Sequence, residues 1–247
     1  MSVLLETVGL TRFFGAVRAA ENVNVRILDG EMVGIIGSNG SGKTTFLNMA
    51  TGYIKPERGR ILLDGREITA LSPRRITHLG VARSFQIPQL YLGLTAIENL
   101  LLALAARAGR VGVWGVLHQP EWTGEGRQIL AQFALDHYAD RPAGELPEGA
   151  RKLLDIAVAA ALGPRLLLMD EPTSGISTDD KFEVMDTLVA ALGGSRITTV
   201  FVEHDMDVVL RYSRRVLVFD QGLVIADGEP ATVLADAGVR RAVLGHA

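Results

Sequence analysis

The chain has 247 residues, a net charge of −3 and a pI near 6.0, a balance that leaves no electrostatic footprint for nucleic acid. It contains no cysteine, which excludes a disulfide scaffold, a thiolate metal site and a cysteine nucleophile. Mean hydropathy is high for a soluble chain at +0.23, yet apolar stretches such as 100–106 and 156–162 fall far short of the ~20 residues a spanning helix needs. No membrane span is expected, although a position against a membrane stays open. The first ten residues lack a basic segment followed by a long apolar one, so no secretion signal is expected.

In chain order, 4–8 and 23–28 alternate in the manner of antiparallel strands, the second ending at Asp29-Gly30. Met32-Val33-Gly34-Ile35-Ile36 is short, apolar and partly β-branched, as a buried parallel strand is. Residues Gly37-Ser38-Asn39-Gly40-Ser41-Gly42-Lys43-Thr44 then fit G-x-x-x-x-G-K-[ST], and 45–51 reads as a helix stopped at Gly52. A Gly-rich turn between strand and helix is a phosphate cradle. Its glycines let successive N–H groups face inward, and the helix N-terminus adds donors and a partial positive charge. The candidate phosphate contacts run from Gly37 through Lys43 and Thr44 to Thr45. Lys43 is expected on the β- and γ-phosphates of a nucleoside triphosphate and the Thr44 hydroxyl on Mg²⁺.

Ile61-Leu62-Leu63 with Asp64-Gly65 is a further strand and turn. From 87 to 145 the pattern changes. A Leu- and Ala-rich helix is expected over 94–108, a Gly- and Trp-containing loop over 109–126, and a second helix over 128–138. No buried strand is expected there. With the helix at 151–162, stopped by Gly163-Pro164, this stretch forms a helical subdomain over 87–162 inside a single domain spanning 1–247. Leu166-Leu167-Leu168-Met169 leads into Asp170-Glu171, and Val200-Phe201-Val202 leads into Glu203-His204. Residues 216–219 and 223–226 flank Asp220-Gln221-Gly222 as a hairpin, and a short helical tail follows.

The expected fold is α/β: a P-loop NTPase core with a mainly parallel sheet, an antiparallel β subdomain and a helical insertion. In such a sheet the strand ends on one edge converge on a ligand. Asp170 is the candidate Mg²⁺ ligand and Glu171 the candidate to take the proton of an attacking water. His204 is the candidate hydrogen-bond partner of the γ-phosphate and that water.

The order of these elements resembles the nucleotide-binding subunit of ATP-binding cassette (ABC) transporters over nearly the whole chain. The resemblance implies adenine stacked on Phe14, with Phe13 as the fallback, and Gln86 as a further Mg²⁺ contact that couples to membrane subunits. It places the signature motif at Leu146-Pro147-Glu148-Gly149-Ala150, the crossing loop at 174–177 and the switch histidine at His204. The strings Ala82-Arg83-Ser84-Phe85-Gln86, Ile97-Glu98-Asn99-Leu100 and Glu203-His204-Asp205-Met206 are similar to the branched-chain amino acid importer branch. That branch implies the ATP-hydrolysing motor subunit of a bacterial importer on the cytoplasmic face of the plasma membrane. Its partners would be two permease subunits, a second ABC ATPase, non-identical to this one, and indirectly a solute-binding protein. An apolar run after Gln86, 87–94, suits a permease docking groove.

Two positions depart from the family. The signature usually reads L-S-G-G-Q, and the crossing loop usually has aspartate where Ser177 stands. Pro147 offers neither a hydroxyl nor an N–H, and Glu148 adds negative charge near a phosphate site unless it points away. Alternatively Pro147 is a pre-set first helical residue and the helix N-terminus suffices. A soluble assembly or repair ATPase, or a degenerate regulatory ATP-binding subunit, are the competing readings. The first would more often carry a different insert after Gln86 or a second cassette.

Overall fold

The computed structural model describes residues 2–109, 119–178, 180–194 and 196–244; residues 110–118 of the expected loop lie outside them. In chain order the strands and helices are β1 (Val3–Phe14), β2 (Val17–Leu28), β3 (Met32–Gly37), α1 (Lys43–Ala50), β4 (Arg58–Leu63), β5 (Arg66–Glu67), α2 (Pro73–His78), β6 (Val81–Ser84), α3 (Ala96–Arg107) and α4 (Pro120–Gln132). They continue with α5 (Glu148–Ala161), β7 (Leu166–Asp170), α6 (Asp180–Gly193), β8 (Thr198–Val202), α7 (Met206–Tyr212), β9 (Arg215–Asp220), β10 (Leu223–Gly228), α8 (Pro230–Ala235) and α9 (Ala237–Leu244). Two compact units result: residues 1–81 with 197–247, and residues 82–196.

The first unit holds an antiparallel sheet in the order β2-β1-β4-β5 and strands in the order β10-β9-β3-β8. β3 runs parallel to β8 and β9, and β10 returns antiparallel to β9. Every residue of β8 and all of β3 except Met32 are buried, so the period-2 alternation disappears, as it does when both faces of a strand are covered. Gly34 lets α7 lie directly on β3, since a Cβ there would sit 2.9 Å from Val209 Cγ1. Phe46 of α1 meets Phe219 of β9 with ring centroids 5.5 Å apart, both rings fully buried. Each such ring contributes roughly 1.5–3 kcal/mol of transfer free energy.

In the second unit β7 neighbours β6, and α3, α4, α5 and α6 pack together. α3 begins with a capping box in which Thr95 and Glu98 exchange hydrogen bonds. The second helix of the insertion differs from expectation. It runs from Pro120 to Gln132 and not over 128–138, because Pro120 starts it and the left-handed Ala134 (φ 55°) ends it, leaving only a 3₁₀ turn at Asp136–Tyr138. Gly126, which reads as loop in the sequence, is a packing site: a Cβ there would lie 2.6 Å from Ile97 Cδ1 of α3. α5 starts three residues earlier than expected. Pro147 is its N-cap (φ −55°, ψ 156°) and not its first helical residue, and Glu148 opens the helix. The short elements α2 and β6 had no clear periodic signal. Among the described residues no helix is long and apolar enough to cross a membrane.

Candidate functional site

In the first unit the expected phosphate loop joins β3 to α1. Its base is buried and its apex, Asn39 and Gly40, is exposed. Gly42 is the N-cap at φ 109°, a conformation closed to side chains, and a Cβ there would stand 2.2 Å from the Ala19 carbonyl oxygen of β2. Gly37 is pressed as closely against β9: its Cβ would lie 2.1 Å from the Phe219 carbonyl oxygen. The loop is also tied to the β9–β10 turn. Gly222 N–H donates to Ser41 O at 2.9 Å, and Glu21 N–H of β2 donates to Gly222 O at 2.8 Å.

Lys43 is 5% exposed and curls back over the loop, its Nζ donating to Gly37 O at 2.7 Å and to Ser38 O at 2.9 Å. Thr44 is exposed and Thr45 half-buried on the first turn, which receives no side-chain cap. The Ser41 hydroxyl is buried with no hydrogen-bond partner among the described residues. An orphaned hydroxyl, an uncapped helix start and two glycines whose missing side chains leave the backbone bare fit an anion with several acceptor oxygens. His204 is exposed between β8 and α7, where Asp205 caps α7 by accepting from Asp207 and Val208 N–H. β3 and β8 pair in parallel up to Ile35 and Val202, so phosphate loop and histidine leave the same sheet edge. Phe14 is 43% exposed at the end of β1, with the Arg12 guanidinium carbon 4.9 Å from its ring centre. Phe13 is more covered, and its N–H is held by Glu57 at 3.3 Å.

The second unit brings Asp170, Glu171 and Gln86 together. Asp170 ends the fully buried β7 and forms an ion pair with Arg83 of β6, Nη2 to Oδ2 at 2.6 Å, both side chains close to 5% exposed. Glu171 is left-handed at φ 52°, and its Oε2 accepts from Gln86 Nε2 at 2.6 Å. The carboxylate and amide therefore engage each other. Two residues of α5 that the sequence reading did not single out complete the cluster. Lys152 Nζ donates to the carbonyls of Gln86 and Glu171. Asp155 accepts from Phe85 N–H at 3.2 Å and Gln89 N–H at 2.8 Å. Burial pushes the Asp155 carboxyl up to about 6, against the opposing pull of those N–H groups and of Lys152. Their only sequence signal is a charged pair, three residues apart, inside an otherwise apolar helix face.

The signature segment lies in the same unit. Leu146 is buried. Glu148 points to the chain's own crossing loop, against Gly175 at φ 79°, where a Cβ would sit 2.3 Å from Glu148 Oε1. Gly149 packs toward Val184 of α6. The Ser177 hydroxyl donates to Asp180 at 2.6 Å and accepts its N–H at 3.3 Å, so it caps α6. After Gln86, Ile87, Tyr91 and Leu92 are 74%, 66% and 56% exposed, whereas Leu90 is half-buried. Asn99 fixes this display, accepting from Tyr91 N–H at 2.9 Å and donating to Tyr91 O at 3.2 Å.

Residues 20–174 match the family model described as ABC transporter. The chain is 36% identical, over 99% of its length and 98% of the relative's, to the high-affinity branched-chain amino acid transport ATP-binding protein LivG of Escherichia coli (strain K12). It is 34% identical, over 99% and 98% of the two lengths, to BraF, the high-affinity branched-chain amino acid transport ATP-binding protein of Pseudomonas aeruginosa. Among solved structures, the ADP conformation of MJ1267, an ATP-binding cassette of an ABC transporter, superposes with a TM-score of 0.88 at 31% identity, covering all of both chains. This chain accordingly belongs to the ABC transporter family, as an ATPase component.

Proposed function

We propose that the chain is the ATP-hydrolysing motor subunit of an importer of branched-chain or related amino acids, bound to permease subunits at the cytoplasmic face of the plasma membrane. The observation that carries the reading is the phosphate loop around Lys43, within a chain similar along almost its whole length to LivG and BraF. In this reading the backbone and side chains from Gly37 to Thr45 bind the phosphates and Phe14 stacks on adenine. Lys43 exchanges the carbonyls of Gly37 and Ser38 for phosphate oxygens, so its charge is already desolvated before the nucleotide arrives.

Thr44, Asp170 and Gln86 are proposed as the oxygen donors for Mg²⁺, a hard cation that suits such donors. When bound, the ion neutralises phosphate charge and polarises the γ-phosphorus. Glu171 accepts a proton from water as the water oxygen bonds to the γ-phosphorus. The bond to the bridging oxygen breaks and its electron pair stays on ADP. His204 holds the γ-phosphate and the water by hydrogen bonds. Leu146 to Ala150 face the partner ATPase's nucleotide, and a non-identical partner is favoured because Pro147 supplies no hydroxyl. The exposed Ile87, Tyr91 and Leu92 receive a permease helix.

The test is to assemble the chain with its membrane subunits and partner ATPase in lipid vesicles. ATP-driven accumulation of leucine is expected, and Lys43→Ala should abolish it while weakening ATP binding roughly 10- to 100-fold. Accumulation of a different solute class would overturn the substrate reading and leave the motor reading intact. Undiminished uptake in Lys43→Ala would overturn the motor reading.

A further inference from the structure

Lys152 and Asp155 sit one turn apart on α5 and are 4% and 6% exposed. Two buried charges are destabilising unless their contacts compensate for the lost water. Here both side chains hydrogen-bond backbone groups of two other segments of the chain. Asp155 spans the glutamine loop, taking the N–H of Phe85 on one side of Gln86 and of Gln89 on the other. Lys152 reaches the Gln86 carbonyl between them and the Glu171 carbonyl at 3.3 Å. Glu171 is the residue at φ 52°, a left-handed conformation that is unfavourable for a non-glycine residue and persists only where its surroundings hold it. A cation on its carbonyl does that.

One turn before Lys152, α5 begins with Glu148, seated against Gly175 of the crossing loop. One rigid helix therefore touches the signature, the crossing loop, the glutamine loop and the backbone of Glu171. We propose that Lys152 and Asp155 are positioning residues through which α5 sets the placement of Gln86 and Glu171. The inference deepens the proposed function and rests on its assignment of Glu171 as proton acceptor and Gln86 as metal ligand. Displacement of α5 at the signature end is transmitted to both residues through two side chains, without contact between either side chain and ATP.

The experiment compares Lys152→Met, Lys152→Arg, Asp155→Asn and Glu171→Gln in the assembled transporter, reading the ATP dissociation constant and kcat separately. It also follows amide hydrogen exchange at Phe85 and Gln89 in the full-length chain. Lys152→Met should keep ATP affinity within about threefold and lose roughly 10- to 100-fold in kcat, the scale on which a misplaced catalytic group acts. Lys152→Arg should recover most of that loss, and Asp155→Asn should speed exchange at Phe85 and Gln89. Wild-type kcat in Lys152→Met beside an inactive Glu171→Gln overturns the proposal. So does a loss of ATP affinity equal to the loss of kcat, which marks general damage. An active Glu171→Gln instead removes the underlying assignment of Glu171. The exchange rates then decide on their own whether α5 holds the glutamine loop. If Lys152→Met does not fold, Lys152→Arg and Asp155→Asn carry the same decision.

Discussion

Around Lys43 the braces are nearly all backbone: the Ala19 and Phe219 carbonyls press on Gly42 and Gly37, and Gly222 N–H holds Ser41 O. Around Glu171 they are side chains: Arg83 on Asp170, Gln86 on the Glu171 carboxylate, Lys152 on its carbonyl. A backbone cradle is set once the strand, turn and helix form, and is ready for an anion before one arrives. A side-chain cluster has alternatives. Asp170 faces a cation of its own chain and Glu171 faces the amide of Gln86, so under the proposed mechanism both would have to exchange partners. The Gly-rich loop is held by backbone contacts that need no rearrangement, and the carboxylate cluster is held by side chains that can change partners.

The strongest way to break that contrast is Arg83→Met. It leaves the buried Asp170 carboxylate without its cation, and loss of one partner of a buried pair costs about 3–5 kcal/mol. Urea denaturation should show that loss, and the double variant with Asp170→Asn should recover much of it. Stability equal to wild type in Arg83→Met would mean that the pair does not hold the cluster together.

Asp155 sharpens the same contrast through pH. Its carboxyl is raised from 3.8 to about 6, first by burial, so the folded state binds the proton more tightly than the unfolded chain. The resulting stability is fully present below 3.8 and is lost as pH rises through about 6, a change of about 3 kcal/mol. Denaturation free energies of wild type relative to Asp155→Asn should therefore fall across that window, and a flat difference would contradict the buried charge. The smallest effect expected is in the first unit. Phe14→Ala removes a stacking surface worth ~1–3 kcal/mol and should raise the ATP dissociation constant about tenfold or more, measured by calorimetry. An unchanged constant would move the adenine to Phe13 or off the aromatics.

This difference also explains what could be read from the sequence. The cradle is local: strand, turn and helix are consecutive from Met32 to Ala50, and each glycine has a steric reason visible in the pattern. The placement of Asp170, Glu171 and His204 at the ends of strands was legible because each follows an apolar run. Arg83, Lys152 and Asp155 were not, because their partners lie 19 to 87 residues away and no short-range periodicity records them. The α4 boundary was missed for a related reason. Gly124 and Gly126 weaken the helical pattern of 120–132, and only the contact with Ile97 shows why Gly126 belongs inside a helix. The orientation of Glu148 needed the left-handed Gly175, which lies in another segment.

The hairpin tip at Gln221-Gly222 has a consequence for anyone building with this protein. Tips of this kind are the usual sites for tags, circular permutation and inserted domains. Here Gly222 is hydrogen-bonded on one side to Ser41 and on the other to Glu21, and a Cβ on it would come within 2.8 Å of the Arg18 carbonyl oxygen. An insertion at this tip would register as a nucleotide-affinity defect, about 180 residues downstream of the loop it disturbs.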